Sequence, residues 1–89
     1  MNSLQALEGQ SGILRLLVYL HQHGEANLSE LIKKANINQT GVYNSIRRLS
    51  ELNLIVEEKE KNFPYRRVLR LTVEGKQIAE HLVKIEKLL

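Results

Sequence analysis

Within residues 28–72 the hydrophobic period of this chain changes once, near Leu54. Residues 28–72 read LSELIKKANINQTGVYNSIRRLSELNLIVEEKEKNFPYRRVLRLT. Up to Leu52 the apolar residues recur at helical spacing. From Leu54 onward the pattern becomes strand-like. Side chains that share one face of a helix do not share one face of a strand. The segment must therefore fold as helices followed by a hairpin.

Around that change the elements can be bounded by their end signals. A short helical lead-in is expected at residues 4–9. A helix is expected from about Ser11 to His23, with Ile13, Leu16, Leu17 and Leu20 as its buried stripe. Ser11 is suited to cap its start, and Gly24 to stop it in a left-handed conformation. Glu25 and Ala26 form a brief link or a third short strand. Asn27 caps a second helix, with Glu30 at the reciprocal position of a capping box. Leu28, Leu31, Ile32 and Ala35 make its apolar face. Asn36 ends it, and Ile37 anchors the turn. Asn38 caps a third helix running to about Leu52. Val42, Ile46, Leu49 and Leu52 face the core, while Thr40, Tyr43, Asn44, Arg47 and Ser45 or Arg48 spread over the outer faces. Helices joined through so short a turn match a helix-turn-helix unit.

The hairpin pairs the segment from Leu54 with Tyr65–Thr72 across a loop at Asn62-Phe63-Pro64. The expected register sets Ile55 opposite Leu69, Val56 opposite Val68, Glu57 opposite Arg67 and Glu58 opposite Arg66. Pro64 lacks an amide donor and belongs in the loop. Phe63 reads as a loop-packing residue rather than an intercalating wedge, and Tyr19 and Tyr65 as periphery of the core. A last helix starts after Thr72, with Ile78, Leu82, Ile85 and Leu89 along one stripe widened by Ala79 and Val83.

Charge singles out the same region. Arg47, Arg48, Lys59, Lys61, Arg66, Arg67 and Arg70 stand against Glu51, Glu57, Glu58 and Glu60 within residues 39–72. That seven against four is the whole formal excess of +3, because the flanking segments balance. A localised basic excess is the footprint of a phosphate-binding surface.

Other function classes find little support. With no cysteine there is neither disulfide nor thiolate metal site. No apolar run approaches the roughly 18 residues of a membrane span, and the first residues lack the basic start and apolar run of a signal peptide. One domain of 89 residues is expected. His21, His23 and His81 lack the spacing and carboxylate neighbours of a metal site. No nucleophile–histidine–acid set, glycine-rich phosphate loop or aspartate is present. Neither an enzyme nor a bound cofactor is expected.

The order helix, link, helix-turn-helix, hairpin, helix resembles a winged helix-turn-helix transcription regulator of the MarR or PadR kind. The resemblance rests on Leu28-Ser29-Glu30-Leu31, Ile37-Asn38, Leu49-x-x-Leu52-Asn53-Leu54-Ile55 and Leu69-x-Leu71-Thr72-x-x-Gly75. It covers about residues 10–80. Asn53 stands where such regulators usually carry glycine, and Asn tolerates positive φ. The implied fold is α+β, mainly α: a three-helix core and two-stranded wing over residues 10–72, then a C-terminal helix over 73–89.

The resemblance implies a cytoplasmic, nucleoid-associated regulator of double-stranded DNA, acting as a homodimer and repressor. Its third helix would enter the major groove. By position, Gln39, Thr40, Tyr43, Asn44 and Arg47 would face bases, with Asn38 and Arg48 beside them and Gly41 allowing close approach. Asn and Gln match adenine, and Arg matches guanine. Lys33 and Lys34 would reach the backbone. The wing would supply Lys59, Lys61, Asn62, Arg66 and Arg67 to the backbone or minor groove. Competing structural roles are cross-strand pairs of Arg66 and Arg67 with Glu58 and Glu57, a pair of Arg48 with Glu51 or Glu30, and packing for Tyr43. Ile78, Leu82, Ile85 and Leu89 would form the dimer contact, with residues 1–20 as a further contributor. No membrane partner is expected, and the residues name no effector. A protein-interaction winged helix and an RNA-binding one are the alternative readings.

Overall fold

The computed structural model describes residues 3–89. Among them, a short 3-10 turn at Ser3–Ala6 precedes α1 (Ile13–His23), β1 (Glu25–Asn27), α2 (Leu28–Lys34) and α3 (Gln39–Glu51). Then come β2 (Ile55–Lys59), β3 (Arg67–Leu71) and α4 (Val73–Leu88). The wing is two-stranded as expected, but β1 joins it to make a three-stranded antiparallel sheet in the order β1-β3-β2.

Local chemistry sets most boundaries. The Asn27 side chain accepts from the Glu30 amide, and Asn38 from the Gly41 amide, so each fills a first-turn donor that the helix cannot. Thr72 does the same for Gly75 at the start of α4. Gly24, Asn36 and Asn53 stop their elements at positive φ. Two expectations fail at helix starts. Ser11 does not cap α1; Gly12 does, in a left-handed conformation that leaves room for Ile37. Glu30 does not close a capping box, because its carboxylate accepts from the Tyr19 hydroxyl at 2.7 Å.

The core lies between α1 and the other elements. Leu16, Leu17 and Leu20 of α1 are fully buried with Leu31, Val42, Leu49, Leu69 and Ala79. Leu28, Ile32, Leu52, Ile78 and Leu82 pack partly buried around them. Ser45, expected outside, is fully buried on α3, and its hydroxyl donates to the Ser11 carbonyl. A small hydroxyl fits where α3 meets the lead into α1, and that bond removes the cost of burying it.

The hairpin register differs from expectation by two residues. Ile55 pairs with Leu71, Val56 with Arg70, Glu57 with Leu69, Glu58 with Val68 and Lys59 with Arg67. A two-residue slip keeps every side chain on its own face, so the apolar pattern cannot detect it. The observed register brings the buried Ile55 and Leu71 together. It also continues into the bond from the Thr72 amide to the Leu54 carbonyl at 3.0 Å.

That carbonyl also limits α4. A Cβ on Gly75 would overlap the Leu54 oxygen, which is backbone and cannot swing aside. Gly75→Ala is expected to destabilise the protein by about 2–3 kcal/mol in urea unfolding. A change below about 0.5 kcal/mol, the usual surface value, would contradict this close crossing.

Candidate nucleic-acid interface

The exposed face of α3 begins at its cap. Asn38 is exposed, but its Oδ1 is committed to the Gly41 amide at 2.7 Å. Gln39 and Thr40 follow, both exposed. One turn on, Tyr43 is 41% exposed, so it is not a core residue. Asn44 is half-buried, and its Oδ1 accepts from the Arg47 guanidinium. This bond sets an amide and a guanidinium side by side on one surface, with the remaining donors of both available. Arg48 is exposed and makes neither the Glu51 nor the Glu30 pair considered for it. Gln10, from the segment before α1, lines a shallow polar hollow with Asn44, Arg47, Arg48 and Glu51. No sequence signal pointed to Gln10, since only the fold brings it there.

Gly41 has a different role from the one expected. It is buried, and a Cβ there would press on the Ile37 side chain and approach the Ser11 carbonyl at 3.4 Å. Its small size lets α3 sit under the turn rather than against an external surface.

The wing arginines are largely neutralised. Arg67 makes a two-pronged pair with Glu57. Arg66 pairs with Glu60 at 2.8 Å rather than with Glu58. Arg70 bridges Glu25 at 3.0 Å and Glu58 at 2.8 Å. The shifted register causes the exchange of partners, because it sets Glu58 diagonal to Arg70. Hydrogen bonding to Arg67 holds the Glu57 carboxyl below its usual range, and Arg66 does so for Glu60. The Arg67 guanidinium is raised, first by Glu57, and the Tyr43 phenol adds to this. These pairs are solvent-exposed, so each contributes little stability and can yield to a competing anion.

The free positive charge lies elsewhere. Lys59 and Lys61 at the wing tip, Arg48 on α3, and Lys33 and Lys34 at the end of α2 are exposed and make no ion pair among the described residues. Phe63 does not pack into the loop: it is 85% exposed at the tip beside exposed Asn62. Tyr65, expected at the core periphery, is also exposed there and meets the Phe63 ring edge to face. Among the described residues, no cluster of histidine, cysteine or carboxylate could hold a metal ion.

Replacing Asn38 tests the cap directly. Asn38→Ala is expected to cost about 1 kcal/mol of stability by denaturant titration, and Asn38→Ser to restore most of it. Equal stability of all three proteins would contradict the cap.

Comparison with known proteins agrees with this architecture. Residues 14–70 match the family model of the sugar-specific transcriptional regulator TrmB. No curated protein matches the chain. Among solved structures, the adhesin competence repressor AdcR of Streptococcus pyogenes superposes with a TM-score of 0.79 at 20% identity. That match covers 91% of this chain and 58% of the other. BpsR of Bordetella bronchiseptica, whose DNA binding is regulated by 6-hydroxynicotinic acid, gives 0.75 at 22% identity, covering 86% and 58%. A transcriptional regulator homologue from Pyrococcus horikoshii OT3 gives 0.70 at 24% identity, covering 98% and 92%. The chain spans less than two thirds of the AdcR and BpsR chains. At these identities the likeness is one of fold, the winged helix-turn-helix. Since the family model spans more than half of its residues, the chain belongs to the TrmB family of transcriptional regulators, not to a family of enzymes.

Proposed function

We propose that the protein is a sequence-specific regulator that binds duplex DNA as a homodimer. The observation that carries this reading is the α3 surface, where Gln39, Thr40, Tyr43 and Arg47 are exposed and Asn44 and Arg47 are hydrogen-bonded side by side. Amide and guanidinium groups held on one helix face suit the donor and acceptor pattern of the major groove. The wing then supplies backbone contacts from Lys59, Lys61 and Asn62. Arg66 and Arg67 join them when phosphate displaces Glu60 and Glu57. Asn38 and Arg48 flank the reading surface. A dimer seated this way represses by excluding other proteins from the site. No helix among the described residues is long and apolar enough to cross a membrane.

The dimer contact follows from an unfilled apolar groove between α1 and α4. Leu14, Val18, Leu82, Ile85 and Leu89 line a hollow of about 320 Å³, together with polar residues that include Arg15, Lys34 and Glu86. Ile85 is 52% exposed, and Leu88 and Leu89 more so. Leu89 lies just beyond the end of α4, so the stripe ends on the C-terminal cap. Of residues 1–20, Met1 and Asn2 lie outside the described residues. Apolar lining suits a second apolar helix better than a sugar, which needs several buried polar partners. The same hollow between copies is where a small effector would act. The structural relative NadR, 26% identical over 83% of this chain, is known in complex with 4-hydroxyphenylacetate.

Two measurements test these parts separately. Binding to a labelled duplex pool is expected to fall steeply as salt rises, and Arg47→Ala to weaken preferred over random sequence by about tenfold. Flat, negligible binding at low salt would overturn the DNA reading. Light scattering at micromolar concentration is expected to give a dimer, and Leu82→Glu with Ile85→Glu a monomer. A wild-type monomer, or a dimer unaffected by both changes, would overturn the interface.

A further inference from the structure

The wing tip combines three features that the backbone-contact role does not use. The first is an aromatic ring in water: Phe63 is 85% exposed. The second is its mounting. The Tyr65 amide donates to the Asn62 carbonyl at 2.8 Å, closing a tight turn with Phe63 and Pro64 at its centre. The Glu60 amide donates to the Arg66 carbonyl at 2.9 Å and ties the loop to the strands. The Tyr65 ring, 6.2 Å away at 88°, braces Phe63 edge to face. The third is charge: Lys59 and Lys61 carry unpaired ammonium groups, while the neighbouring arginines are bound to carboxylates.

A lone exposed phenylalanine needs no special account. One set at the apex of a braced turn, lining the same hollow as Lys59 and Lys61, does. Ordering costs are already met by the fold, so contact with a partner surface loses little side-chain entropy. Cations draw the tip to a polyanion, and a flat apolar ring then has one productive place to go, the stacked faces of the bases. An acidic protein surface would satisfy the lysines and leave the ring in water. An anionic lipid surface would accept both, but would leave the exposed polar face of α3 unused.

We propose that Phe63 is a wedge that enters the minor groove at a base step flanking the site read by α3 and partly unstacks it. This rests on the duplex-binding reading above and extends it. Apolar side chains inserted in this way kink the duplex, and the energy depends on how readily the step opens. Pyrimidine–purine steps open most readily. The tip therefore selects sequence by deformability, at positions that α3 never touches.

The test compares sequences selected from a random duplex pool by the wild type and by Phe63→Ala. The tip is solvent-exposed, and circular dichroism should confirm that the variant is folded. The wild-type pool is expected to be enriched in TA or CA steps on each flank, and the Phe63→Ala pool to lose that enrichment while keeping the same central motif. Affinity for the wild-type sequence should fall by about tenfold with an unchanged salt slope. Lys61→Ala should instead lower the slope by about one. The chain has no tryptophan, so Phe63→Trp supplies a single reporter, whose emission should be quenched by the preferred duplex. Identical flanks from both proteins, or no quenching, would overturn the wedge while leaving duplex binding intact. Loss of binding to phosphatidylserine vesicles in Phe63→Ala, with duplex selection unchanged, would assign the tip to a membrane instead. A wild type that selects no duplex would overturn the functional reading itself.

Discussion

One backbone crossing at Leu54 fixes how the working parts of this protein sit relative to each other. The Leu54 amide donates back to the Leu49 carbonyl at the end of α3, and its carbonyl accepts from Thr72. The Thr72 hydroxyl donates to the Asn53 carbonyl and accepts from the Gly75 amide. Asn53 makes the connection possible at φ 62°. Gly75 lets α4 pass over the Leu54 oxygen without a Cβ in the way. The helix that carries the exposed polar face, the two arms of the wing and the C-terminal helix all meet within these few residues. Rigid supports of this kind let side chains on α3 hold a fixed pattern.

Around that junction, charge is distributed with a division of labour. The wing holds more arginine than any other part of the chain, yet Arg66, Arg67 and Arg70 each face a carboxylate. The pairs stabilise the hairpin modestly and keep the guanidinium groups extended along the strands. Among the described residues, Lys59 and Lys61 at the tip, Arg48 on α3, and Lys33 and Lys34 on α2 make no ion pair, and Arg47 is bound only to a neutral amide. Net charge therefore overstates how uniformly basic the surface is. On this account α3 sets sequence preference and the wing sets affinity, except at its tip.

Much of this was legible in the residues because it depends on local chemistry. Asn27, Asn38 and Thr72 precede apolar helical stripes, and each accepts a first-turn amide in the structure. Gly24, which lacks a Cβ, and Asn36, with its short amide, stop helices at positive φ for reasons local to each residue. What escaped depends on partners distant in sequence. The hairpin register was ambiguous because Leu69 and Leu71 lie on the same face two residues apart, and only the anchoring of Thr72 on Leu54 decides between them. Glu30 could serve its own helix start or the Tyr19 hydroxyl, and the fold brings Tyr19 within reach. Ser45 looks polar and external until the segment before α1 covers it. Phe63 gave an apolar signal that sequence alone read as burial. The Asn62–Tyr65 turn instead holds it outward.

On the proposed reading, α3 and the wing tip, not the groove beside α4, form the contact with nucleic acid. Backbone amide shifts of isotopically labelled protein, recorded while a selected duplex is added, test it residue by residue. The largest changes are expected at residues 39–47, with a second group at 61–63 and small changes over the distal half of α4. Changes confined to α4 and the Leu14–Val18 face, with residues 39–47 unmoved, would contradict it.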